Sequence, residues 1–182
     1  MKRYLEVLCV VVLALGVVAG VQAQTATHDL SITVNGFQLI GLEGGGRPVA
    51  FEVGAPASAG EKPVIVSSSG VSDNYLLYSS IFSTTDNKIT AALDADVESP
   101  LTLSVSAAAA TGGGGDKGDV QTGVVLSSAA ADVITGIGSC WTGLGTNGAQ
   151  LTYSLAIPDD VTDLDDVNDQ PLTVTYTITN TN

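Results

Sequence analysis

Six aspartates crowd into one short stretch near the C-terminal end and are the residues best suited to bind a cation. They are Asp159, Asp160, Asp163, Asp165, Asp166 and Asp169, with Asn168 among them. Carboxylate oxygens on a flexible loop are the ligands that Ca²⁺ prefers, and weak calcium sites are common in extracellular modules. The spacing does not match an EF-hand loop, because Val167 takes a ligand position and no glycine follows. The stretch predicts either a calcium loop or a negatively charged surface without an ion.

A second pattern, Gly143-Leu-Gly145-Thr-Asn-Gly148, has the G-x-G-x-x-G spacing of a dinucleotide-binding turn. In such a site the glycines follow a strand and open a helix, whose N-terminus holds the pyrophosphate. Here the residues that follow, 149–157, alternate between apolar and polar as a strand does. We therefore interpret these glycines as hairpin turn residues.

Cys140 lies beside Trp141, the single tryptophan, and could in principle be a nucleophile. No histidine is near it in sequence to activate the thiol. Ser139 does not fit the G-x-S-x-G nucleophile turn, because Ile137 and Trp141 stand where that motif has glycines. We predict a small buried cysteine packed under Trp141, and the alternative is a disulfide between two molecules.

The overall composition excludes several further kinds of chemistry. The chain has 19 Asp and Glu against 6 Lys and Arg, a formal net charge of −13. Nucleic acid binding needs a basic surface, so we expect none. His28 is the single histidine, too few for a zinc site together with two cysteines. Carboxylate pairs for a glycosidase are available, but aromatic residues to line a sugar cleft are scarce. We expect no enzyme activity and no catalytic residues, and calcium is the one cofactor left open.

Residues 1–23 have the features of an export signal. Lys2 and Arg3 precede the apolar run 8–19, and Val21 and Ala23 are the small residues expected before a cleavage site. The run is shorter than the roughly 20 apolar residues of a membrane helix. We predict a secreted protein, extracellular or at the cell surface, without a transmembrane span in its mature form. Residues 24–182 would be one domain, with a net charge of −14 and Cys140 as the remaining cysteine.

The elements that would hold these residues are β-strands, because period-2 alternation recurs and helical periodicity does not. Residues 172–179 alternate apolar side chains with four threonines, and residues 149–157 also alternate. Residues 64–66 form a continuous apolar run that predicts a strand buried on both faces. The other predicted strands are residues 30–34, 37–40, 49–53, 75–82, 89–93, 101–107, 124–126 and 133–137. We predict an all-β antiparallel sandwich, immunoglobulin-like or jelly-roll, with about 8–10 short strands.

Three long connections separate these strands, namely residues 54–62, 107–119 and 158–171. The second contains four consecutive glycines, residues 112–115. Because glycine loses the most conformational freedom on ordering, we predict a mobile surface loop there.

The C-terminal part of the chain resembles a group of uncharacterised secreted β-sandwich proteins of Bacteroidetes-type bacteria. The residues that carry the resemblance are Ile134-Thr-Gly-Ile-Gly-Ser-Cys-Trp-Thr-Gly143, Gln150-Leu-Thr-Tyr-Ser-Leu155 and Leu172-Thr-Val-Thr-Tyr-Thr-Ile-Thr179. The resemblance implies a surface or extracellular β-sandwich with no activity to carry over. A looser similarity is to pilin and fibre subunits, which also combine threonine-rich strands with small residues.

Together these observations predict an exported structural subunit of a surface filament, pilus or fimbria. Its first and last strands alternate and could pair with a neighbouring copy, as in donor-strand exchange, or within their own chain. The predicted partner is therefore another copy of the chain. The alternative is an adhesive or ligand-binding surface module, with a glycan or protein ligand and a dependence on calcium.

Overall fold

The computed structural model of the chain describes residues 25–82, 87–167 and 169–180. The chain divides into two compact units, residues 1–34 and residues 35–182. The predicted export signal, residues 1–23, lies outside the described residues. Within the described part, no helix has the length and apolar character needed to cross a membrane.

The second unit is built almost entirely of strands, so the prediction of an all-β fold is confirmed. Nine strands have five or more residues and four have two, within the described residues. The strands are β1 (Phe37–Leu42), β2 (Ala50–Gly54), β3 (Val64–Ser69), β4 (Asn74–Ile81), β5 (Asn87–Leu93), β6 (Thr102–Ala107), β7 (Gly114–Gly115), β8 (Asp119–Val120), β9 (Val124–Val125), β10 (Ala131–Ile137), β11 (Cys140–Trp141), β12 (Ala149–Ala156) and β13 (Val174–Asn180).

These strands form two main antiparallel sheets and a separate hairpin. The larger sheet has seven strands, with the path β7-β11-β4-β12-β6-β9 and with β1 paired to β4. The smaller sheet has four strands in the order β13-β5-β10-β8, and β2 pairs with β3 alone. The inner faces of the two main sheets share one apolar core, which makes the unit a sandwich.

The core follows from strict alternation along the central strands. In β4 every second residue from Asn74 to Ser80 is buried, and in β5 every second residue from Asn87 to Leu93 is buried. The buried amide of Asn87 connects the sheets: its Nδ2 donates to the Ile137 carbonyl (2.9 Å) and to Ser80 Oγ (3.3 Å). A buried polar group is stable only with such partners.

The two clearest predicted strands are confirmed as β12 and β13. In β13 the apolar residues Val174, Tyr176 and Ile178 are partly buried, and the threonines between them are exposed. β13 pairs along its whole length with β5, from Val174 opposite Leu93 to Asn180 opposite Asn87. The last strand therefore completes a sheet of its own chain.

One strand prediction and one burial prediction are wrong. Residues 30–34 alternate but have no strand assignment, since a strand without a paired neighbour is not a stable element. The apolar run 64–66 does form part of β3, but all of β3 is exposed, because among the described strands β3 pairs with β2 alone and lies outside both main sheets. The strand at residues 133–137 is longer than predicted and is the central β10.

The glycine-rich stretch is also different from the predicted mobile loop. Gly114 and Gly115 form β7 and pair with Trp141 and Cys140 of β11. Gly113 has φ +72°, and a Cβ there would collide with the Trp141 carbonyl oxygen. The glycines are needed because the backbones approach so closely, a reason that composition does not reveal.

Candidate functional site

The second unit has a groove of about 1400 Å³ between the two main sheets. We call it the inter-sheet groove. Leu103 of β6 and Leu155 of β12 line it from the larger sheet, and Val174 of β13 lines it from the smaller sheet. Phe51 of β2 contributes a further apolar wall. The groove lies beside an edge strand, because β13 is the outermost strand of its sheet.

Two tyrosines that line the groove join the sheets. The hydroxyls of Tyr153 in β12 and Tyr176 in β13 lie 2.8 Å apart and share a hydrogen bond. Burial raises the pKa of both phenols, so they stay neutral at physiological pH. This bridge holds the start of β13 against the larger sheet and leaves the apolar groove next to it.

The acidic loop, residues 158–171, crosses from β12 to β13 and borders the same groove. Val161, Leu164 and Val167 line the groove and are partly buried. Their spacing of three residues matches the short 3-10 turn Leu164–Asp166 in the middle of the loop, since three residues make one such turn. The loop therefore packs these three apolar side chains against the groove.

The six predicted calcium ligands have different environments. Asp159 forms an ion pair with Lys62 (3.0 Å), and Asp160 accepts hydrogen bonds from Thr162, which lower the pKa of its carboxyl. Asp163 is exposed, whereas Asp165 and Asp169 border the groove.

Among the side chains that the structure describes, no three Asp, Glu, His or Cys groups converge on a metal position. The side chain of Asp166 and all of Asn168 are outside that set. Calcium binding by the loop therefore stays a prediction.

β1 and β13 are long outer strands of their sheets, and they lie close to one another without being paired. β1 pairs with β4 and β13 pairs with β5, each without a register shift, and no other described strand pairs with either of them. Neither strand contains a charged residue or a proline. The outer strands on the other side of each sheet, β9 and β8, have two residues each. Short strands, charges, prolines and bulges are the usual protection against edge-to-edge pairing.

The described part of the first unit, residues 25–34, presents an apolar row of its own. Leu30, Ile32 and Val34 are 80%, 81% and 74% exposed, respectively. They alternate with Ser31 and Thr33, so a strand formed by these residues would have one apolar face and one polar face. We call residues 30–34 the donor segment.

Cys140 and Trp141 are neighbours on β11 and therefore point to opposite faces of the sheet. Cys140 is 2% exposed and has a free thiol, so the prediction that it is buried is confirmed. Trp141 is 56% exposed on the outer face, so the prediction that it covers Cys140 is wrong. Burial, followed by the negative charge of Asp116, raises the pKa of the Cys140 thiol and makes it a poor nucleophile.

The other two motifs have structural roles. The glycine-rich turn before β12 contains the 3-10 turn Gly145–Asn147 and leads into a strand rather than a helix. It does not close a hairpin, because β11 and β12 both pair with β4 and not with each other, so the hairpin interpretation is wrong. Ser139 is exposed, and its hydroxyl donates a hydrogen bond to the Phe82 carbonyl (2.7 Å).

No protein-family model matches the chain, and no curated protein or solved structure matches it. The resemblance to secreted β-sandwich proteins of Bacteroidetes-type bacteria therefore stays a prediction.

Sequence reasoning missed the inter-sheet groove. Its walls come from strands that are far apart in sequence, and alternation alone does not say which sheet a strand joins. One local signal was present: the three apolar residues at intervals of three in the acidic loop, Val161, Leu164 and Val167, indicate a loop that packs against an apolar surface.

Proposed function

We propose that the protein is an exported, non-catalytic structural subunit of a cell-surface or extracellular filament, which assembles by β-strand pairing or strand exchange between copies. The observation that carries this proposal is that β1 and β13 each pair with a described strand on one side only. Each is six or seven residues long, uncharged and regular in register. In a monomer, two such edge strands would leave unpaired backbone groups that can pair with another chain, and this promotes aggregation.

The exposed apolar residues support the same function. Phe37 and Leu39 on the outer face of β1 are exposed, as are Trp141 and Leu144. An exposed apolar surface is typical of an interaction site. The strongly acidic composition keeps such a protein soluble and limits unspecific contacts until specific pairing occurs.

The test is the assembly state of the protein as the cell processes it. Sedimentation velocity at increasing concentration is expected to show large species, and electron microscopy of negatively stained samples should show fibres of uniform width. A protein that stays monomeric at millimolar concentration, and that is missing from every fibre on the native cell surface, would overturn the proposal.

An edge variant tests the mechanism of assembly. Thr177→Lys puts a charge in the middle of β13, where it is expected to suppress pairing with another copy. Thr152→Lys is the matched control, because Thr152 is also exposed but lies in β12, which has strands on both sides. Equal assembly of the two variants would contradict pairing through the edge of β13.

The second candidate function is a ligand-binding or adhesive module that depends on calcium. It is favoured by the inter-sheet groove and by the two aspartates that border it, Asp165 and Asp169. Calorimetry with CaCl₂ and with MgCl₂ as the control tests it. Heat of binding and a higher melting temperature with calcium alone would support this function, and no change with either salt would contradict it.

A further inference from the structure

We infer that the inter-sheet groove is the receptor for the donor segment of a second copy of this chain. This inference rests on the proposed function and deepens it, because it names which part of one subunit binds which part of the next. Leu30, Ile32 and Val34 would enter the groove while the backbone of residues 30–34 pairs with the free side of β13.

The size of the groove favours a peptide segment over a small ligand. Pockets for small molecules usually measure about 300–1,000 Å³, and the inter-sheet groove is larger, at about 1400 Å³. It runs beside a strand edge, so a peptide that lies in it can also form main-chain hydrogen bonds. This is how strand addition combines affinity with specificity.

The donor segment matches the groove in periodicity and length. Its apolar side chains recur every second residue, as do Val174 and Tyr176 of β13, which line the groove. At about 3.3 Å per residue, the four steps from Leu30 to Val34 span roughly 13 Å. β13 has seven residues and is therefore long enough to pair with the whole segment.

The absence of charge on the donor segment also suits it to the inter-sheet groove. Residues 30–36 carry no charged side chain, although the chain as a whole has a net charge of −13. A segment that carried carboxylates would be repelled by Asp165 and Asp169, which border the groove. An uncharged apolar strand enters the groove without that repulsion.

The alternative donor, the last strand, is already in use. β13 pairs with β5 over its full length within one chain, and its apolar side chains face the core of its own sandwich. Exchange of β13 would require this pairing to break in both copies. The donor segment needs no such step, because its three apolar side chains are at least 74% exposed.

Disulfide trapping tests the contact directly in the protein as the cell processes it, with Cys140 replaced by Ala. The pair Ile32→Cys and Leu155→Cys is expected to give a ladder of covalent oligomers on mild oxidation. The matched control pair is Thr33→Cys and Leu155→Cys, in which the first thiol lies on the polar face of the donor segment. It should give at least about tenfold less cross-linked product.

A second variant covers the case in which the Leu155→Cys protein folds poorly. Ile32→Asp puts a charge on the apolar face of the donor segment, and Thr33→Asp puts it on the polar face. Because Ile32 is 81% exposed, both variants should melt at the wild-type temperature. Ile32→Asp should lower the association constant by about tenfold or more, and Thr33→Asp should change it far less.

The outcomes separate this inference from the proposed function. Filaments that form equally well with Ile32→Asp and Thr33→Asp, or that give no ladder with the Ile32→Cys pair, would overturn the donor contact and leave the filament function intact. A cross-link confined to single chains would also overturn it. Absence of any assembly in the unmodified protein would overturn the proposed function.

Discussion

The hydroxyl groups of Tyr153 and Tyr176 lie 2.8 Å apart, and their hydrogen bond joins the inner faces of the two main sheets beside the inter-sheet groove. The two residues are 23 positions apart in sequence, with the acidic loop between them. The bridge therefore fixes where β13 lies and with it the shape of the groove.

Removal of either hydroxyl should destabilise the sandwich. We expect Tyr153→Phe and Tyr176→Phe each to lower the free energy of unfolding by about 1 kcal/mol, because the remaining hydroxyl loses its partner. The double variant should lower the free energy of unfolding by clearly less than the sum of the two single changes, since both single variants break the same hydrogen bond. Urea denaturation measures all three values, and strict additivity would contradict the bridge.

The same pair predicts instability at alkaline pH. Burial raises the pKa of Tyr153 and Tyr176 above the value of about 10 that an unfolded tyrosine has. The neutral phenols therefore contribute stability that is fully present below about pH 10 and is lost as the pH rises through the folded pKa values. A spectrophotometric titration should show these phenols ionising only with unfolding. The double Phe variant should lose part of this pH dependence.

Gly113 should not tolerate a side chain. Its φ of +72° is unfavourable for other residues, and a Cβ would collide with the Trp141 carbonyl oxygen. Gly145 is the matched control, with φ +64° and open space around its Cβ position. Gly145→Ala should lower the free energy of unfolding by about 1 kcal/mol because of backbone strain. Gly113→Ala should lower it by clearly more, because β7 must also shift. Equal melting temperatures of the two variants would contradict the close packing of β7 against β11.

The thiol of Cys140 should react only when the fold opens. Its side chain is buried and its pKa is raised, so the reactive thiolate is scarce and inaccessible. We expect slow alkylation in native buffer and complete alkylation in denaturant. The double variant Ser139→Cys, Cys140→Ala has its thiol one residue away at an exposed position and should react rapidly without denaturant. Fast native alkylation of Cys140 would contradict its burial.

The sequence predicts the strands better than it predicts the site. β12 and β13 were identifiable because one face of each strand packs on the core and the other meets solvent, and this produces alternation along the chain. Residues 64–66 were misassigned because an apolar run does not tell whether a sheet covers it. Those residues belong to an isolated hairpin with exposed side chains.

The inter-sheet groove and β7 depend on contacts that are distant in sequence. Gly114 and Gly115 pair with β11, about 26 residues further along the chain, so nothing in the local pattern reveals their partner. Likewise, Leu103 and Val174 line one groove only because the two main sheets pack against a common core. The alternation of residues and the composition describe single strands, whereas the inter-sheet groove depends on how the sheets pack.

Assembly of this acidic chain should be strengthened by salt. Two copies of residues 24–182, each with a net charge of −14, repel one another, and the donor segment contributes no charge that could offset the repulsion. The Debye length falls from about 10 Å at 0.1 M to about 3 Å at 1 M, so sodium chloride should increase the extent of assembly measured by sedimentation. Lowering the pH toward 4 should act in the same direction, because it neutralises carboxylates. Assembly that weakens as sodium chloride is added would instead indicate a contact held by ion pairs, and it would contradict an uncharged donor segment in an apolar groove.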